Sequence, residues 1–74
     1  MIKQSRQNAR RNKRALRALS DYLEGGNSPT DSVTDILTDL RHFCDAHDID
    51  MANCDRIARS HYLVELGADM VKQS

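Results

Sequence analysis

The residues that break helices are gathered in one place in this chain. Two of its three glycines and its only proline fall in Gly25-Gly26-Asn27-Ser28-Pro29. Glycine takes the left-handed conformation that closes a helix without steric cost, and proline suits the first turn of the helix that follows. The segments on either side are free to be helical, and no alternating run of β-branched residues offers a strand. Apolar residues recur at helical spacing in three stretches, which predicts an all-α protein of three helices.

The first helix is expected from about residue 3 to Glu24. Ile2, Ala9, Leu16, Leu19 and Leu23 fall on one face, with Ser5 and Asn12 between them. That face is strongly apolar only from Ala15 to Leu23, so residues 1–14 are expected to form a basic arm or a frayed extension of the helix. Residues 15–74 are expected to form the small helical domain. In the second segment Ser28 reads as the N-cap, Pro29 as the first helical residue, and Asp31 as a first-turn acid favoured by the helix dipole. Val33, Ile36, Leu37, Leu40, Phe43, Cys44 and His47 then follow the i, i+3, i+4, i+7 pattern.

Asp48-Ile49-Asp50 is a short connection. Asp50 suits an N-cap, and Ile49 just before it suits a staple onto Cys54. The third helix is expected from Met51 to about Leu66, with an extension past Gly67 to Val71. Cys54, Ile57, His61 and Val64 lie on one side of it, and Tyr62, Leu63, Leu66 and Met70 on another. A helix apolar on two sides needs two neighbours. The expected architecture pairs helices two and three as an antiparallel hairpin, with helix one packed against it through its Leu16–Leu23 end.

At 74 residues, 39% of them hydrophobic and with no Trp, the chain has a thin supply of core. A domain of this size buries only about 60% of its unfolded surface, and small domains are often completed by a second subunit. Tyr62, Leu63, Leu66 and Met70 are therefore the expected contact of a homodimer. No apolar run reaches the roughly 18 residues of a membrane span, so no membrane partner is expected. The basic start is not followed by an apolar segment, which argues against a secretory signal and makes the cytoplasm the expected location.

Charge is sharply segregated. Residues 1–20 carry seven basic side chains and no acidic one, whereas residues 21–74 carry four basic and eleven acidic ones. Such polarity steers partners rather than building a fold. Arg6, Arg10, Arg11, Lys13, Arg14 and Arg17 form the candidate partner or nucleic-acid surface. Phosphate neutralisation by this run would be salt-dependent, and with no aromatic residue interleaved it offers no base stacking. The same run also suits a solvated helix face or a protein contact. Asp31, Asp35 and Asp39, one turn apart, form a second candidate surface. They suit a basic partner, mimicry of nucleic-acid phosphates, or a plain exposed face.

Cys44, His47 and Cys54 are close enough in the expected hairpin to converge, but His61 lies about 10 Å further along helix three. The spacings do not match a zinc finger. Core packing of the thiols is the expectation, with no metal and no cofactor; a structural metal and a Cys44–Cys54 bridge across the hairpin are the lesser alternatives. A Cys-His nucleophile would need an orienting group and an oxyanion site that these short loops do not offer, so no enzyme is expected. Residues 43–58 can be threaded on a helix-turn-helix, but its recognition helix would turn Asp50 and Asp55 toward phosphate, which disfavours it.

The stretch from Asp35 through Leu40-Arg41-His42-Phe43-Cys44-Asp45-Ala46-His47-Asp48-Ile49-Asp50, continuing to Ala58-Arg59-Ser60-His61-Tyr62, resembles short uncharacterised helical proteins of bacterial plasmids and phages. They share a DLLxDLRHFxDxHxID…AxxHY pattern, matched here over residues 33–65. The resemblance implies a mobile-element origin and no assigned activity or site. Asp48 stands where such sequences are expected to carry glycine, and the basic arm lies outside the match. The functional expectation is a non-enzymatic accessory protein that binds, and so inhibits, a host or defence protein complex. The alternative is a nucleic-acid-binding regulator acting through the arginine-rich helix.

Overall fold

The structure, a computed structural model, describes residues 4–73, with side chains through residue 67. It is all-helical: α1 spans Arg6–Glu24, α2 Pro29–Ala46 and α3 Met51–Gln73. Expectations placed on Ile2, Lys3 and the side chains of Met70 and Val71 lie outside the described residues.

The three helix starts share one device. Ser5 Oγ accepts from Asn8 N–H, Ser28 Oγ from Asp31 N–H and Asp50 Oδ1 from Asn53 N–H, each at 3.1 Å. Each bond satisfies one of the backbone donors that a helix N-terminus leaves without an internal partner. Ser28 and Asp50 are the caps expected from sequence. Ser5 begins α1 later than residue 3, and the helix then runs unbroken through residue 14 to Glu24.

The two turns also share a device. After α1, Asn27 N–H reaches Tyr22 O at 3.4 Å and Gly26 N–H reaches Leu23 O at 3.1 Å, with Gly26 at φ 96°. After α2, Ile49 N–H reaches Cys44 O at 2.9 Å, with Asp48 at φ 60°. Both wrap the chain back over the last helical carbonyls through one left-handed residue.

The helices are tied to one another at different points. The α1–α2 contact is the more extensive. Tyr22 donates its hydroxyl to Asp39 Oδ2 at 2.5 Å, and Asn27 Nδ2 donates to Asp35 Oδ2 at 2.9 Å. The other half of α1 reaches α3, where Asn8 Nδ2 donates to Glu65 O at 3.1 Å and Arg11 Nε pairs with Glu65 Oε2 at 3.3 Å. The α2–α3 contact lies at their turn, where the Cys44 thiol stands 3.8 Å from Met51 Sδ. Three rods joined this way make a flat, open frame of 43 × 30 × 16 Å.

The frame encloses little. Among the described residues only Ser32 and Cys44 are buried, at 0% and 6% exposure. The Ser32 Oγ finds no hydrogen-bond partner. Val33, Leu37, Leu40 and Phe43, expected on the core side of α2, remain between 40 and 52% exposed. Cys54, expected as a buried thiol, is exposed. The cause is the same for both: α2 and α3 meet at their turn, so little lies over their facing stripes.

Candidate partner-binding surface

Helix α1 turns two faces to two uses. Successive residues are about 100° apart around a helix, so Asn8, Leu19, Tyr22 and Leu23 share the inner face while Arg6, Arg10, Lys13, Arg14 and Arg17 share the outer one. Asn8, Leu19, Tyr22 and Leu23 are half-buried, and the five cations are exposed. From Arg6 to Arg17 the outer ridge extends about 17 Å. None of its five cations has an ion pair among the described residues. No Asp or Glu precedes Asp21, so of the five only Arg17 has an acid within one turn of its own helix.

Arg11 has a second environment. Charge order along the chain groups it with the cationic run, but it falls between the two faces, donates to Asn8 Oδ1 and pairs with Glu65. It bridges α1 and α3. The cleft beside it, about 510 Å³, is lined by Gln4, Asn8 and Asn12 on one side and Tyr62, Glu65 and Leu66 on the other. Neither Asn8 nor Glu65 stands out in the sequence. The available signal is a short amide at helical spacing inside a run of long cations.

A shallow groove follows the ridge, lined by Arg10, Lys13, Arg14, Arg17 and Leu16. Leu16, expected to pack inward, is instead 55% exposed. The ridge thus combines positive charge with an accessible aliphatic side chain.

The acidic stripe on α2 is divided. All three aspartates are exposed, but Asp35 and Asp39 accept hydrogen bonds from Asn27 and Tyr22. The hydrogen bond to Asp39 holds the Tyr22 hydroxyl above its ordinary value of 10.0; partial loss of water and the charges of Asp39, Asp35 and Asp21 push the same way. Each favours the neutral phenol over the phenolate.

On α3, Tyr62 and Leu63 are exposed, Val64 is 74% exposed and Leu66 is half-buried. Cys44 and Cys54 are free thiols, and His47 stacks on Phe43 with ring centroids 4.2 Å apart. Among the described residues no three His, Cys, Asp or Glu side chains gather as metal ligands, and no helix is long and apolar enough to cross a membrane. Comparison with protein-family models, curated proteins and solved structures finds no match.

Proposed function

We propose that this chain is a non-enzymatic accessory protein of a bacterial mobile element, acting in the cytoplasm by binding a host or defence protein complex and so inhibiting it. The observation that carries the reading is the outer ridge of α1. Arg10, Lys13, Arg14 and Arg17 border an exposed Leu16 in one groove. An acidic protein surface with an apolar side chain at its centre satisfies both halves of that groove. A phosphate backbone satisfies only the cations. The acidic residues left exposed on α2 and α3, Asp31 among them, give the opposite side a contrasting field that orients the encounter.

In this reading the chain is also a homodimer, with Tyr62, Leu63, Leu66 and Met70 contributing to the contact, and α2 and α3 close as an antiparallel hairpin once covered. The test is capture from a bacterial lysate with the wild-type chain, Leu16→Ser and Arg14→Glu. A single stoichiometric protein held by the wild type and lost with both variants supports the proposal. Retention by both variants rejects the ridge as its site.

The nucleic-acid reading is favoured by a separate observation, five cations along about 17 Å of helix that have no ion pair among the described residues. A regulator of that kind binds duplex or single-stranded nucleic acid at physiological salt through Arg6, Arg10, Lys13, Arg14 and Arg17. Fluorescence anisotropy with labelled random duplex DNA and single-stranded RNA decides it. Binding that disappears at physiological salt removes this alternative.

A further inference from the structure

We infer that this chain is one half of an obligate dimer, in which a second copy covers the open apolar faces of α2 and α3. The inference deepens the homodimer part of the proposed function. It places the contact on a wider surface than the Tyr62–Leu63 region, one that includes Val33, Leu37 and Leu40.

The missing burial is measurable. The accessible surface is 6352 Å², whereas a compact monomer of 8.4 kDa exposes about 4,600 Å². The radius of gyration is 14.4 Å, whereas a compact domain of 74 residues has about 11 Å. The surplus surface is about 1,700 Å² per chain, or about 3,500 Å² for two. Obligate homodimers bury roughly 2,000–5,000 Å² and resemble a domain core cut in half.

The apolar surface has that character. Leu37 and Phe43 on α2, Ile49 in the turn, and Leu63 and Val64 on α3 are all exposed. A docking patch for an occasional partner is local, whereas half a core runs across more than one element. A chain with so little core of its own also needs its cover at the moment of folding. A second copy is the one partner always present in equal amount. The net charge of zero means that two copies meet without net repulsion. Leaving the cations of α1 outside the contact keeps the ridge free for an outside partner.

The test uses the full chain. Sedimentation equilibrium and thermal melting by circular dichroism are followed over roughly a hundredfold range of concentration. The expected result is a dimer mass together with a Tm that rises by several degrees across the range, because association stabilises the folded state by mass action. A monomer that melts cooperatively at one Tm at every concentration overturns the inference. A chain that stays unfolded alone at the highest concentration also overturns it, and assigns the cover to a different protein.

Leu37→Glu and Leu40→Glu are expected to lose the dimer and the helical signal together, and a folded monomeric variant would refute obligate pairing. Arg14→Glu separates the two proposals. It is expected to leave the dimer intact while abolishing capture of the outside partner. A wild-type chain that captures the partner as a monomer removes only this inference. A wild-type dimer whose ridge variants still capture the partner removes only the ridge reading.

Discussion

Gly26 and Asp48 occupy the same position in two copies of one turn. Each is the left-handed residue after a helix cap, at φ 96° and 60°, and after each the chain bonds back to a carbonyl in the last turn of its helix. Glycine adopts this conformation freely, while a residue with a Cβ meets the following carbonyl and is held there at a cost of about 1–2 kcal/mol, less for Asp.

Asp48→Gly is therefore expected to stabilise the fold, by up to about 1 kcal/mol. The converse change, Gly26→Ala, is expected to destabilise it by about 1 kcal/mol, although open space surrounds the position, because the strain is in the backbone. Urea denaturation of the two variants checks both signs. An Asp48→Gly variant no more stable than wild type would show that the Asp48 side chain compensates for its backbone.

Ser32 offers an independent check on packing. Its hydroxyl is fully buried and makes no hydrogen bond, a situation that costs about 1–3 kcal/mol. Ser32→Ala keeps the small volume that the close approach requires and removes the orphaned group. A gain of about 1 kcal/mol is expected, which for a domain of this size raises Tm by about 4–8 °C. Ser32→Leu is expected to lower Tm sharply, since a larger side chain overpacks a fully covered site. A destabilised alanine variant would mean that the hydroxyl has a partner in solution.

The Tyr22–Asp39 bond ties stability to alkaline pH. Tyr22 has its folded pKa raised above 10.0, so the folded state keeps a proton that the unfolded chain releases. Its stabilising contribution is fully present below the unfolded value and is lost as pH rises through the folded one. The urea midpoint is expected to fall as pH rises from the ordinary tyrosine value through the higher folded one, with a shallower fall in Tyr22→Phe. The two chains differ at neutral pH only through the exposed bond itself. Identical pH profiles would show that the bond is not held in solution.

Arg11 and Arg14 are separated by one turn yet have different tasks, because Arg11 is paired with Glu65 and Arg14 is not. Arg14→Ala is expected to weaken any anionic partner and, if that partner is a nucleic acid, to lower the salt slope by about one. Arg11→Ala is expected to leave partner affinity near wild type. Its stability cost is expected to stay below about 0.5 kcal/mol, since the pair with Glu65 is partly solvated. Equal losses of affinity from the two variants would place Arg11 on the ridge.

Much of the helical layout could be read from local chemistry. Ser28, Pro29 and Asp50 mark helix starts, and Gly25-Gly26-Asn27 marks a stop, because caps and turns depend on a few neighbouring residues. The cationic face of α1 is legible for the same reason: helical periodicity alone brings Arg6, Arg10, Lys13, Arg14 and Arg17 together. The exclusion of Arg11 is not legible, because it depends on Glu65, distant in sequence, arriving beside it. The occupation of Asp35 and Asp39 by Asn27 and Tyr22 is hidden in the same way.

The sequence by itself determined that the chain is three helices and that its charges are segregated, since both follow from short-range periodicity and order along the chain. Only the tertiary structure decided which apolar side chains are covered. The pattern marks Leu37, Leu40 and Cys44 alike as inward, yet Cys44 is buried and the two leucines remain half open. Periodicity assigns a residue to a face of its helix, whereas burial requires a second surface to reach that face. In this frame α1 meets α2 through its C-terminal end and α3 through its N-terminal end, and α2 meets α3 at their turn, so few apolar faces are reached.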